Sequence, residues 1–220
     1  MKYQWLNKGN NTQLVLFFSG WGQTASYFKN YPFSPDEDVL MIYHYSHLDF
    51  EKINQEVLHY EKVHCIAWSF GVLVAAHFLD QNTINGDRIG INGTLSPVDA
   101  ELGIPPAIFN GTLNGLSEIN WKKFVFRIFD QRNEAQEFLS QSDRTIDNLK
   151  VELSFLGSIE PFKDNSIFHS VFVSKNDRIF PVKNQLRAWE NSTIEVIDTG
   201  HFPFHRKEFL TSFQPTSIDL

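Results

Sequence analysis

A chain of 220 residues with 42% apolar and 20% charged side chains has the make-up of an ordinary folded protein, long enough for one compact domain or one domain with an inserted lid. Its formal charge of −7 excludes a general nucleic-acid binder, which needs a basic surface to displace counterions from phosphates. A single cysteine, Cys65, excludes an internal disulfide framework; with no apolar run of about 18 residues to cross a membrane and no apolar core of a signal peptide near Met1, the expectation is a soluble cytoplasmic protein.

Strand-like and helix-like segments alternate along the chain. Short apolar runs rich in β-branched and aromatic residues fall at 14–18, 39–43, 63–68, 88–91, 167–173 and 193–197, each bounded by turn residues. Continuous runs of this kind suit a mostly parallel sheet covered by helices on both faces. Helix-like segments at 70–79, 182–189 and 206–213 supply that cover, giving an α/β architecture. The rhythm breaks between about 97 and 161. There Pro- and Gly-rich turns lead into helical patterns at 121–129 and 134–140 before strand character resumes. An insertion there reads as a helical lid over the carboxyl ends of the strands, where open α/β sheets bind ligands; ordinary crossover helices are the alternative. The 21 phenylalanines are expected mainly in the core, with the lining of an acyl pocket as their second use.

The chemistry concentrates after the third of these runs. Strand 63–68, then Ser69, then a helical pattern from Phe70, is the strand–turn–helix of a nucleophile elbow. A serine in so tight a turn needs small residues two before and two after it, and Ala67 and Gly71 meet that need. A serine hydroxyl is a weak nucleophile until a base accepts its proton. Of the eight histidines, His201 is placed for this, in a turn begun by Gly200 after the last strand. His205 falls where the final helix should start, His44 and His47 lie in a loop, and His64 and His77 lie within a strand and a helix. Asp177, at the carboxyl end of the 167–173 strand, is the candidate to orient the imidazole, with Asp99 as the alternative. The order Ser, Asp, His is that of α/β-hydrolases. An oxyanion hole needs two fixed donors. The Phe70 amide sits at a helix N-terminus, and Trp21 lies between Gly20 and Gly22, which let its backbone approach a ligand closely. The reading calls for no cofactor and no metal.

These pieces together resemble a known family. Phe17-Phe18-Ser19-Gly20-Trp21-Gly22, Ala67-Trp68-Ser69-Phe70-Gly71-Val72, the stretch from Ile91-Asn92-Gly93-Thr94 to Gly103-Ile104-Pro105, and Asn176-Asp177-Arg178-Ile179-Phe180-Pro181 with the Gly200-His201 loop are similar to the biotin-synthesis esterases of the BioG type, within the α/β-hydrolase superfamily. The resemblance implies removal of the methyl ester from pimeloyl-acyl-carrier protein. The residues alone reach only to hydrolysis of an ester-like acyl bond; another ester or thioester substrate, or an acyl-binding protein without catalysis, remain the alternatives at this point. Lys122, Lys123, Arg127 and Arg132 concentrate positive charge in the inserted region of an acidic chain. Lys123 and Arg127, four apart, share a helix face that either docks an acidic carrier protein or is simply solvated.

Overall fold

The computed structural model describes residues 1–204; the helix expected at 206–213 and His205 lie outside the described residues. Seven strands form one sheet in the order β1-β3-β2-β4-β5-β6-β7. These are β1 (Lys2–Asn7), β2 (Gln13–Phe18), β3 (Asp38–Tyr43), β4 (Lys62–Trp68), β5 (Arg88–Ile91), β6 (Ser170–Ser174) and β7 (Ile194–Ile197). All neighbouring pairs are parallel except β1 with β3. Strand β1 was not among the expected runs, because its polar residues Lys2, Gln4 and Asn7 suit an exposed edge rather than a doubly covered strand. The run expected to begin a strand at 167 begins it three residues later. Ile167 is buried, yet it sits in a 3-10 turn, Asn165–Ile167, whose start is capped by Asp164 accepting from the Ser166 amide at 2.9 Å.

The sheet centre is dry. Leu14, Leu16, Phe17, Phe18, Cys65, Ile66 and Ala67 on β2 and β4 are fully buried. Helix α3 (Gly71–Gln81) covers them with Val72, Val74, Ala75, Ala76 and Phe78, an apolar surface too broad for a helix with a solvated face. Shorter helices are α1 (Ala25–Phe28), α2 (Glu51–Val57) and α8 (Val182–Ala188). Most of the aromatic mass belongs to the core. Phe17, Phe28, Phe202 and Phe204 pack edge to face or tilted around Trp68, with ring centroids 5.1 to 6.2 Å apart.

Between β5 and β6 stand four helices, α4 (Pro106–Asn114), α5 (Glu118–Ile128), α6 (Arg132–Gln141) and α7 (Ile146–Ser158). Two of them overlap the expected helical patterns at 121–129 and 134–140. The start of α5 is capped by Ser117, which accepts from the Asn120 amide at 3.3 Å. At α7, Thr145 and Asn148 form a reciprocal capping box.

Parallel register brings the carboxyl ends of β2, β4, β5, β6 and β7 to one rim, with Phe18 opposite Ala67, Trp68 opposite Ile91, Ile91 opposite Phe172 and Ser174 opposite Ile197. Every segment singled out for chemistry leaves the sheet at this rim.

Candidate active site

Ser69 follows the last residue of β4 and has φ = 59°, a left-handed conformation that a non-glycine residue adopts only where the surroundings enforce it. Close packing does so here. A β-carbon on Gly71 would lie 2.3 Å from the Phe18 carbonyl oxygen, so α3 can approach β2 only with glycine there. From the other side Gly93 presses on the turn, and a β-carbon on it would lie 2.2 Å from the Ser69 carbonyl oxygen. Gly93→Ala is therefore expected to displace the elbow, lowering stability by about 1–3 kcal/mol and slowing covalent labelling of Ser69. A urea titration run beside a labelling time course checks both.

His201 stands on the loop after β7, buried between aromatic rings. The Trp68 ring lies 5.3 Å away and the Phe180 ring stacks parallel at 6.0 Å. Its Nε2 is 3.0 Å from Ser69 Oγ and its Nδ1 is 2.9 Å from Asp177 Oδ2. The three side chains proposed from sequence thus meet in one hydrogen-bonded line. The Asp177 side chain is fully buried, and its oxygens are met by four donors. Oδ1 accepts from the amides of Ile179 at 2.7 Å and Phe180 at 3.0 Å, while Oδ2 accepts from Gln185 Nε2 at 3.0 Å as well as from the imidazole. Asp99 is committed elsewhere, accepting at 2.8 Å from the amides of Glu101 and Leu102 in its own turn.

The histidine loop is tied down along its backbone. The His201 carbonyl accepts from Trp68 Nε1 at 2.8 Å and from Asn92 Nδ2 at 2.9 Å. Asn92, itself at φ = 48°, also binds Ser174 through both its amide atoms at 2.7 Å. From the inserted region, Asp130 accepts from the Gly200 amide at 2.7 Å, and the Ile128 carbonyl accepts from the Phe202 amide at 3.1 Å. Spacing in the sequence gave no sign of Gln185 or Asp130, because both act only across the fold.

Four other histidines weighed from the sequence have different surroundings. His64 Nδ1 lies 3.1 Å from Asp87, His77 pairs with the Glu160 carbonyl at 2.9 Å, and His47 pairs with the amino terminus. His44 is half-buried, and desolvation followed by the charge of Arg144 lowers its pKa to about 4. Among the described residues no group of three or more His, Cys, Asp or Glu side chains is placed to hold a metal ion.

Gly20 lies directly under Ser69, where an added β-carbon would be 3.0 Å from that of the serine, so the loop after β2 borders the hydroxyl. Trp21 is next in that loop, and Phe70 opens α3 on the other side of Ser69. Both line a cavity of about 270 Å³ together with Ile104, Phe109, Phe124 and Leu153; Arg127 and Asp177 also reach it. An outer groove between α4 and α5 shares Ile108, Thr112, Phe124 and Arg127 with the cavity and adds Lys123. The walls are mostly apolar, with Lys123 and Arg127 exposed on the outer side, an arrangement suited to a methylene chain whose polar continuation stays at the surface.

A model of the family described as pimeloyl-ACP methyl esterase BioG matches residues 1–213. The chain belongs to the BioG family, ester hydrolases with the α/β-hydrolase fold. The solved structure of BioG from Haemophilus influenzae is similar over 94% of this chain and 96% of that one, with a TM-score of 0.81 and 28% identity. An uncharacterized protein of the same organism is 30% identical over 197 residues, 88% of this chain and 90% of the relative. A malonyl-[acyl-carrier protein] O-methyltransferase of Bacteroides fragilis is 36% identical over 197 residues, covering 86% of this chain. The match spans 39% of that relative's length. No helix among the described residues is long and apolar enough to cross a membrane.

Proposed function

We propose that the chain hydrolyses the methyl ester of pimeloyl-acyl-carrier protein in biotin synthesis, with Ser69 as nucleophile, His201 as general base and acid, and Asp177 as the group that orients the imidazole. The observation that carries this reading is the hydrogen-bonded line of Ser69, His201 and Asp177, beside an apolar cavity lined by Asp177 and by the flanking residues Trp21 and Phe70, in a chain of the BioG family. His201 Nε2 takes the hydroxyl proton as Oγ attacks the ester carbonyl. The amides of Trp21 and Phe70 receive the developing oxyanion. Collapse of the tetrahedral intermediate breaks the bond to the methoxy oxygen, which leaves as methanol with the proton held by His201. Water, activated by the same imidazole, then cleaves the acyl-enzyme and releases the free carboxylate on the carrier.

The helices of 97–161 serve as a lid that closes over the alkyl chain. Trp21, Phe70, Phe109, Phe124 and Leu153 cover its methylenes, each worth about 0.8 kcal/mol when fully removed from water. The carrier's prosthetic arm leaves along the outer groove past Lys123 and Arg127, and the carrier itself docks on Lys122, Lys123, Arg127 and Arg132, all exposed on α5 and at the start of α6. Salt should weaken such steering. Charge reversal at Lys122 and Lys123 is expected to raise KM for the carrier-linked ester several-fold more than KM for a small methyl ester. An equal change in both removes the docking surface from the account.

The decisive assay is conversion of purified pimeloyl-acyl-carrier-protein methyl ester to the free acid with release of methanol. It is paired with biotin-free growth of an esterase-deficient strain carrying this gene. Turnover of a short-chain aryl ester alone, with neither conversion nor growth, would replace the substrate while leaving the triad in place.

A further inference from the structure

Helix α7 carries a buried stripe, Leu149, Leu153 and Leu156, and within that stripe stands a carboxylate, Glu152. Its side chain is fully buried, as is that of its partner Arg144, 2.7 Å away. Burial drives the carboxyl's pKa up, against the pull of Arg144 and of two backbone amides. A buried ion pair gives little net stability over apolar residues of equal volume, so stability alone does not account for it.

Its contacts point to another use. Glu152 Oε2 accepts from the amide of Gly22 at 3.1 Å and Oε1 from the amide of Tyr45 at 2.8 Å. Arg144 donates from Nη1 to the Gln23 carbonyl at 3.1 Å, and the Leu149 carbonyl accepts from Trp21 Nε1 at 2.8 Å. Three consecutive residues of the loop after β2 are thus held by α7 and the arginine just before it. Gly22, at φ = 73°, is packed so that an added β-carbon would meet Trp121 and Leu149. None of these groups reaches the reacting atoms.

We propose that Glu152, braced by Arg144, is a positioning residue for the oxyanion hole, fixing the loop so that the Trp21 amide stays aimed at the reacting carbonyl only while α7 is docked. The proposal rests on the reading of Trp21 and Ser69 given above. It makes the inserted helices part of the catalytic geometry as well as a cover for the acyl chain.

Two variants test it, Glu152→Gln, which keeps the volume, and the pair Glu152→Leu with Arg144→Met, which replaces the ion pair by apolar groups. Each is assayed on a small methyl ester for kcat and KM, and on a trifluoromethyl ketone, which forms a tetrahedral adduct with an active serine and so reports on the hole. In a variant that melts cooperatively, kcat should fall about 10²-fold, ketone affinity should fall by the same factor, and KM should stay within about twofold. A folded variant with kcat within about threefold of wild type, or with reduced kcat and undiminished ketone affinity, overturns the proposal. So does failure of both variants to fold, which would make the pair purely structural. Ser69→Ala in the same assays separates the two readings. If it stays active the triad is wrong, whereas an inactive Ser69→Ala beside a fully active Glu152→Gln removes only the positioning role.

Discussion

Ser69→Ala is expected to lower kcat for ester hydrolysis by about 10⁶-fold while leaving the melting temperature nearly unchanged. The magnitude follows from the absence of any substitute nucleophile in the arrangement. His201 Nε2 faces Ser69 Oγ at 3.0 Å, and Cys65, the chain's one thiol, is buried in β4, where desolvation raises its pKa. What would remain in the variant is binding and the proposed oxyanion donors, which together should still favour attack by water over the uncatalysed reaction. Small fold effects are expected because, among the described residues, Ser69 Oγ bonds the imidazole alone and the strained backbone at φ = 59° is imposed by Gly71 and Gly93. Purified protein assayed by methanol release, with a thermal melt alongside, provides the check.

Asp177→Asn should cost about 10⁴-fold in kcat with the fold retained. The asparagine carbonyl can still accept from the Ile179 and Phe180 amides, so the turn before α8 survives. Its NH₂ group then points at two donors, Gln185 Nε2 and His201 Nδ1, where the carboxylate oxygen accepted from both. The imidazole can relieve that conflict only by losing its Nδ1 proton and placing it on Nε2, the tautomer unable to accept from serine. Asp99 offers no rescue, since its Oδ1 is held by two amides of its own turn. A residual rate within tenfold of wild type in this variant would show that another acid orients the histidine. Gln185→Leu removes one of the four donors to Asp177 and should lower kcat far less than Asp177→Asn does.

Much of the site was legible because its logic is local. A strand, a serine between Ala67 and Gly71, and a helix can be read from consecutive residues, and so can a histidine or aspartate placed just past a strand. The core strands were equally readable as unbroken apolar runs, since a parallel sheet covered on both faces has no polar side to interrupt them. Strand β1 escaped for the opposite reason. Its alternating polar residues occupy an edge, and only pairing with β3 makes it a strand. The groups that hold the triad in place were also hidden. Asn92, Asp130 and Gln185 act across 8 to 109 positions of sequence, through contacts that exist only once the rim is assembled. Glu152 left a trace, a lone acid in an apolar helical stripe, but nothing in the sequence says that its partners are the amides of Gly22 and Tyr45.

The rim also explains how the two halves of the chain cooperate. Asp130, just past α5, anchors the histidine loop through the Gly200 amide, and Glu152 in α7 anchors the loop bearing Trp21. The sheet places Ser69, and the helices between β5 and β6 brace both the His201 loop and the loop bearing Trp21. In the proposed reaction, binding energy from the acyl chain would be expressed as geometry at the ester carbonyl.

The central claim, that Ser69 is the residue acylated during turnover, is tested most directly by treating the full-length protein with a fluorophosphonate and mapping the adduct by peptide mass spectrometry. The account predicts a single stoichiometric adduct on the peptide containing Ser69, formed in step with loss of esterase activity and absent from Ser69→Ala. An inactivated enzyme whose Ser69 peptide is unmodified, or an adduct that persists in Ser69→Ala, would contradict it.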